Sequence, residues 1–215
     1  MTDDARSPYY FSPRHDMIEL IPGNTQRILE VGCAGGATGK ELKERGVKET
    51  VGIEVVEEIA RAAEPFYDKL YIGDVETIDL PYERGHFDCI LYGDVLEHLK
   101  DPWHLLARHN RIVRHNGMVI ISVPNIRHYR VVKKLVLKGE WKYTDDGIMD
   151  RTHLRFFTLG STRDMIESAG FEIQAIIKKP SGAGWLKGLN TLSGNRLIEF
   201  LVRQYIISAR KIREV

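Results

Sequence analysis

Cysteine is scarce. The 215-residue chain has two, Cys33 and Cys89, too few for a disulfide framework, so a reducing compartment, the cytoplasm, is expected. No apolar run approaches the roughly 20 residues that cross a bilayer. MTDDARSPYY has no basic region followed by an apolar stretch, so no membrane span or signal peptide is expected. Excess charge is also absent: 31 Lys and Arg stand against 30 Asp and Glu, a formal net charge of +1. Whole-molecule attraction to nucleic acid or an anionic membrane is thereby excluded as a dominant force, although a local patch is not. There is no internal repeat and no low-complexity segment. Hydrophobic residues at 43% and charged residues at 28% are ordinary for a globular protein and exclude collagen, coiled coil and long-range disorder.

From Arg27 onward, short β-branched runs alternate with helical stretches. Strands are predicted at 27–32, 50–55, 70–75, 87–92 and 117–123, and helices at 36–45, 57–64 and 101–114. Gly46 and Pro65 supply stops, and Pro102 stands in a first turn. The strands are nearly continuous in apolar residues rather than alternating, as in a parallel sheet covered on both faces. Residues 125–158 break the alternation and read as an insertion. Ser161 to Asp164 resembles a capping box opening a short helix that stops at Gly170. Strands six (171–178) and seven (200–209) lie too close for a helical crossover, so an antiparallel pair is predicted.

The segment Glu30-Val31-Gly32-Cys33-Ala34-Gly35-Gly36 sits where strand one meets helix one, where small residues let a ligand approach the backbone. Glu54 stands at the end of strand two, where a carboxylate can accept both hydroxyls of a ribose, and Asp74 ends strand three. Ligands of open α/β sheets bind outside these carboxyl ends. The rival is a dinucleotide enzyme, for which the chain offers Gly32, Ala34 and Ala37. Glu30 argues against it, because a pyrophosphate is repelled by that charge whereas a free amino group is attracted.

ILEVGCAGG, VGIEVV, YIGDVE, FDCILYGDVLEHLKDP and GMVIISVPN resemble, in order, the motifs of class I S-adenosylmethionine-dependent methyltransferases. Within that superfamily the chain is similar to ubiquinone-biosynthesis-like and glycan- or natural-product-associated small-molecule enzymes, as is the stretch 150–158. The resemblance implies an α/β Rossmann-like, doubly wound, seven-stranded sheet, mostly parallel with an antiparallel last strand. It implies one domain over 1–215, with an N-terminal cap at 1–24 and a lid at 125–158. By motif, Glu30 and the backbone of Gly32, Cys33, Ala34 and Gly36 would hold the methionine end of S-adenosylmethionine. Glu54 would hold the ribose, and Val55 would pack on adenine. Asp74 would meet the adenine amino group and the Val75 N–H a ring nitrogen, while Tyr92 and Gly93 would line the methionine. Ala34 departs from the family, which usually has glycine there. Related enzymes often fold an N-terminal segment over the cofactor, and Tyr9, Tyr10, Phe11 and Arg14 suit a sulfonium and a carboxylate.

Methyl transfer needs alignment and, for a hydroxyl acceptor, removal of a proton. Asp94, Glu97 and His98 have the i, i+3, i+4 spacing of one helical face, and His153 lies in the insertion expected to cover that edge. The catalytic candidates are therefore His98, His153 and Asp94. The same groups can form a divalent-cation site, or simply orient the following loop. Residues 127–142 carry six Lys or Arg against Glu140 alone, with an apolar stripe of Val131, Val132, Leu135 and Val136, and read as a lid helix with a solvated outer face. Trp185, Leu186, Leu189 and Leu192 form a small apolar segment suited to a dimer contact or the acceptor pocket. His104 and His109 read as helix-surface residues. The expected partner is a small-molecule acceptor, methylated at a hydroxyl oxygen. A metal-assisted methyltransferase acting on the terminal ribose of RNA and a non-catalytic cofactor-binding module are the alternatives. Nucleic acid is not favoured, because no aromatic-rich basic platform appears outside 127–142. Either a monomer or a homodimer fits.

Overall fold

A computed structural model of the chain describes residues 11–181 and 197–215. Tyr9, Tyr10 and the apolar segment around Trp185 and Leu192 lie outside the described residues. Seven strands form one sheet in the order β3-β2-β1-β4-β5-β7-β6. They are β1 (Arg27–Val31), β2 (Glu49–Glu54), β3 (Lys69–Ile72), β4 (Phe87–Gly93), β5 (Val113–Pro124), β6 (Phe171–Pro180) and β7 (Val202–Lys211). The first five run parallel, and β7 enters antiparallel between β5 and β6. The predicted antiparallel pair is thus present, and β7 binds both neighbours.

Successive strand residues serve opposite faces. On one face Leu29, Ile90, Ile121 and Ile207 pack with Leu105 and Leu106 of α4 (Pro102–Asn110) and Met165 and Ile166 of α6 (Leu159–Ser168). On the other, Ile28, Cys89, Leu91, Ile120 and Ile206 pack with Met17 and Ile18 of α1 (His15–Ile18) and Leu42 of α2 (Ala37–Glu44). Both faces bury apolar side chains, which is why the strands read as unbroken hydrophobic runs.

Several boundaries differ from the sequence reading. α3 (Glu57–Ala63) ends at a short 3-10 turn carrying Pro65. β3 stops at Ile72, because Gly73 takes φ +144 and turns the chain, so Asp74 and Val75 lie in the following loop. α4 ends at Asn110 rather than at 114. β5 starts at Val113 and passes through Asn116 at φ +61. The capping box of α6 lies earlier than predicted: Thr158 accepts from the Ser161 N–H, and the Ser161 side chain returns to Thr158. Phe200 and Leu201 belong to a helical turn, α7 (Ile198–Leu201), before β7. The insertion contains α5 (Tyr129–Lys138), none of whose residues is buried. Among the described residues, no helix is long and apolar enough to cross a membrane.

Candidate active site

The chain runs outward from β1 to β2 and β3, then returns to place β4 on the other side of β1. Ligands of such sheets bind at this switch point, and a cavity of about 530 Å³ opens there. It is lined by Glu30, Gly32, Cys33, Ala34, Glu54, Val55, Asp74, Val75, Gly93 and Asp94.

The turn after β1 is built from special backbone. Gly32 takes φ +73, and a Cβ there would stand 2.4 Å from Val95 Cγ2. Ala34 takes φ +47, a conformation costly for any residue with a side chain, and its N–H donates to Glu54 Oε2 at 3.0 Å. The Gly32 and Cys33 N–H groups donate to the Ile53 carbonyl. The turn is therefore fastened to β2, and these two N–H groups are used by the fold rather than offered to a ligand. Gly36 does not line the cavity. Its φ is +82, and a Cβ would meet Ala63 Cα at 2.8 Å, so this glycine permits the close packing of α2 on α3.

Glu30 is buried, and Tyr67 O–H donates to its Oε2 at 2.5 Å. Burial pushes the carboxyl up to about 7, against the opposing pull of hydrogen bonds from Tyr67 and Thr38. Glu54 Oε1 accepts the Val56 N–H, and Asp74 Oδ1 accepts the Glu76 N–H. Val55 is exposed on the cavity wall. Tyr92 is a correction: its side chain is fully buried on the α4 side and hydrogen-bonds His109 Nδ1 at 2.8 Å. Only its neighbour Gly93 lines the cavity. His109 is correspondingly a core residue, held neutral with its pKa lowered to about 3 by burial.

Asp94, Glu97 and His98 do not share a helical face. Asp94 sits at φ +56 before a 3-10 turn of Leu96–His98. It pairs with Arg14 Nη1 at 2.7 Å and accepts from Ser122 and Gln204. Its carboxylate thus anchors the N-terminal segment to β5 and β7. Glu97 points elsewhere and joins the two histidines. The Leu154 and Arg155 N–H groups both donate to the Glu97 carbonyl, which pins the insertion and sets the His153 ring 4.7 Å from the His98 ring. Ligand atoms of Glu97, His98 and His153 lie within 4.8 Å of one another.

The tautomers follow from the partners. Thr152 O–H donates to Asp150 at 2.6 Å, so His98 Nδ1 faces only acceptors, Thr152 Oγ1 and its carbonyl. His153 Nδ1 faces the Ile148 carbonyl at 3.1 Å. In the neutral rings the proton is on Nδ1 and both Nε2 atoms carry lone pairs. Burial and the neighbouring His153 hold the His98 pKa below its usual value. Burial and the Asp94 charge hold that of Glu97 well above the carboxylate range, and Glu97 Oε2 is buried without a partner. This set can hold a proton or a divalent cation, the choice of cation being open.

A family model for the methyltransferase domain matches residues 5–176. The chain belongs to this family. A probable S-adenosylmethionine-dependent methyltransferase of Mycolicibacterium smegmatis is 24% identical to this methyltransferase over 95% of the chain and 75% of the relative. A ubiquinone biosynthesis O-methyltransferase of Neisseria meningitidis is 25% identical over 76% of the chain and 74% of the relative. A solved S-adenosylmethionine-dependent methyltransferase from Archaeoglobus fulgidus shares the fold, with a TM-score of 0.67 at 17% identity over 88% of this chain and 87% of that one. The methyltransferase uses S-adenosylmethionine, and its cavity suits that molecule. The volume lies in the range of cofactor pockets. Three carboxylates at adjoining strand ends match an ammonium, a ribose and an exocyclic amine, and the bend at Gly32 leaves no room for a Cβ. Among the lining residues, Val95, Lys100 and Thr152 lie within the motif stretches but were assigned no role there, Thr38 carried no motif signal, and the Tyr67 partner of Glu30 joins from the loop before β3 with none either.

Proposed function

We propose that this methyltransferase acts on a hydroxyl oxygen of a small-molecule acceptor, with His98 as the base. The observation that carries this reading is the bare Nε2 of His98 at the cofactor cavity, on a ring whose lowered pKa keeps it neutral near pH 7. Bound S-adenosylmethionine supplies a methyl group on a positively charged sulfur. Glu30 binds its ammonium, Glu54 its ribose and Asp74 its adenine amine, with Val55 against the ring and the Val75 N–H toward a ring nitrogen. Gly93 leaves the methyl approach open. As the carbon–oxygen bond forms and the carbon–sulfur bond breaks, the hydroxyl proton passes to His98 Nε2. Thr152 and Asp150 hold the ring, His153 stands beside it, and Asp94 positions Arg14 at the cavity wall. Residues 125–158 cover the acceptor side.

The test incubates the enzyme with isotopically labelled S-adenosylmethionine and a panel of phenols, catechols and amines. Labelled methyl ethers should form, and His98→Ala should lower kcat by about 10²–10⁴-fold with cofactor affinity unchanged. Labelled amines alone, or an active His98→Ala enzyme, would overturn the reading.

A second reading rests on the buried, unpartnered Glu97 Oε2 and on ligand atoms of Glu97, His98 and His153 that lie within 4.8 Å of one another. A divalent cation held by Glu97, His98 and His153 would lower the acceptor's pKa, whether that acceptor is a small diol or an RNA-terminal ribose. Turnover unchanged after exhaustive chelation would dismiss it.

A further inference from the structure

The described residues enclose a second cavity, of about 420 Å³, that methyl transfer as read above does not use. It lies at the same sheet edge as the cofactor cavity, but over β5, β7 and β6 instead of β1, β2 and β4. His128 follows the end of β5, Ser181 follows the end of β6, and Arg203 stands at the start of antiparallel β7. The roof is α5 with the segment that follows it, which contributes Arg130, Lys134, Lys142 and Thr144.

The charge of this cavity is uncompensated. Four cations, Arg130, Lys134, Lys142 and Arg203, face two carboxylates, Glu140 and Asp146. Three neighbouring cations are matched: Arg127 pairs with Glu199, Arg151 with Asp145 and Lys138 with Glu140. Among the described residues, none of the four lining cations has a carboxylate within 4.0 Å. Arg130 instead donates to the Tyr129 hydroxyl. His128 is buried at the cavity wall and meets Ser181 at 3.1 Å. Burial and the charges of Arg130 and Arg203 hold its pKa below the usual value, so it adds no positive charge near pH 7. Cations left unmatched around a concave space attract a multiply charged anion, and two arginines offer the planar fork suited to phosphate oxygens.

We propose that this cavity binds the phosphate or diphosphate group of a soluble anionic ligand, through Arg130, Lys134, Lys142 and Arg203. The Thr144 hydroxyl donates to the Asp146 carbonyl and Ser181 meets His128, so the four cations carry the recognition. The site is separate from the cofactor cavity, and its existence does not depend on the acceptor atom assigned above.

Inorganic pyrophosphate is the probe, titrated calorimetrically into the full chain at low salt. One equivalent should bind, with affinity falling steeply as salt is raised. The exposed substitutions Arg203→Gln and Lys134→Gln/Lys142→Gln should each weaken it at least about tenfold, while S-adenosylhomocysteine affinity stays within about twofold. The proposal is overturned if the wild-type chain ignores pyrophosphate, if the variants bind it equally, or if S-adenosylhomocysteine displaces it. Capture on phosphatidylglycerol vesicles without pyrophosphate binding also overturns it, since the basic face would then serve a lipid surface. Loss of S-adenosylhomocysteine binding in the wild type would strike the cofactor assignment and leave this one standing.

Discussion

Glu30 makes cofactor binding and stability respond to pH in opposite directions. Its carboxyl is raised from the ordinary carboxylate range to about 7, chiefly by burial. In the free protein the proton is therefore held more tightly folded than unfolded. The resulting stability is present below about pH 4.5 and is lost as pH rises through about 7. The ammonium of the cofactor requires the ionised form. At about pH 5.5 only about 1 molecule in 33 is ionised, against half at about pH 7. Affinity for S-adenosylhomocysteine should therefore rise about 16-fold between these values, or about 1.6 kcal/mol. The ligand's own ammonium stays protonated across this range. Calorimetry in buffers of different ionisation enthalpy should record close to one proton released at the lower pH. Thermal unfolding of the free protein should show Glu30→Gln losing the wild type's fall in stability over the same interval. A flat affinity profile, or a Glu30→Gln variant that keeps the slope, refutes the reasoning.

Glu54→Ala should weaken S-adenosylhomocysteine binding by about 1–3 kcal/mol, read by calorimetry, with additional loosening of the turn because Glu54 also holds the Ala34 and Val56 N–H groups. Gly32→Ala should cost at least about tenfold in the same affinity, since its Cβ falls on Val95 and its φ is +73. Tyr92→Phe should lose about 1–3 kcal/mol of stability in urea, because His109 Nε2 is already without a partner and Nδ1 would join it. Cofactor affinity should not change, and a large drop would restore Tyr92 to the ligand.

What was legible in the sequence obeys local rules. Unbroken apolar runs marked both faces of β1, β2, β4 and β5 as covered, and the short β6–β7 connection required antiparallel pairing. Glu30 and Glu54 stood out because the ends of β1 and β2 were legible, and Asp74 because it follows β3 closely, although that strand stops at Ile72. The misreadings depend on distant partners. Tyr92 follows the alternation of β4 into the core, where His109 arrives from α4. The i, i+3, i+4 spacing of Asp94, Glu97 and His98 presumes a helix, yet Asp94 adopts positive φ and is drawn to Arg14, eighty positions away. His153 reaches His98 because the Glu97 carbonyl captures the N–H groups of Leu154 and Arg155, a tie that leaves no periodic trace.

The placement of β7 between β5 and β6 has a consequence for biosynthesis. Although β6 precedes β7 in the chain, it touches the sheet only through β7. A ribosome that has released residues up to Pro180 presents β5 as a raw edge, with β6 having nowhere to dock. Closure waits for the last segment to slide into the gap, and a stop codon before Val202 strands two ribbons instead of one, leaving nascent chains open to edge-to-edge aggregation.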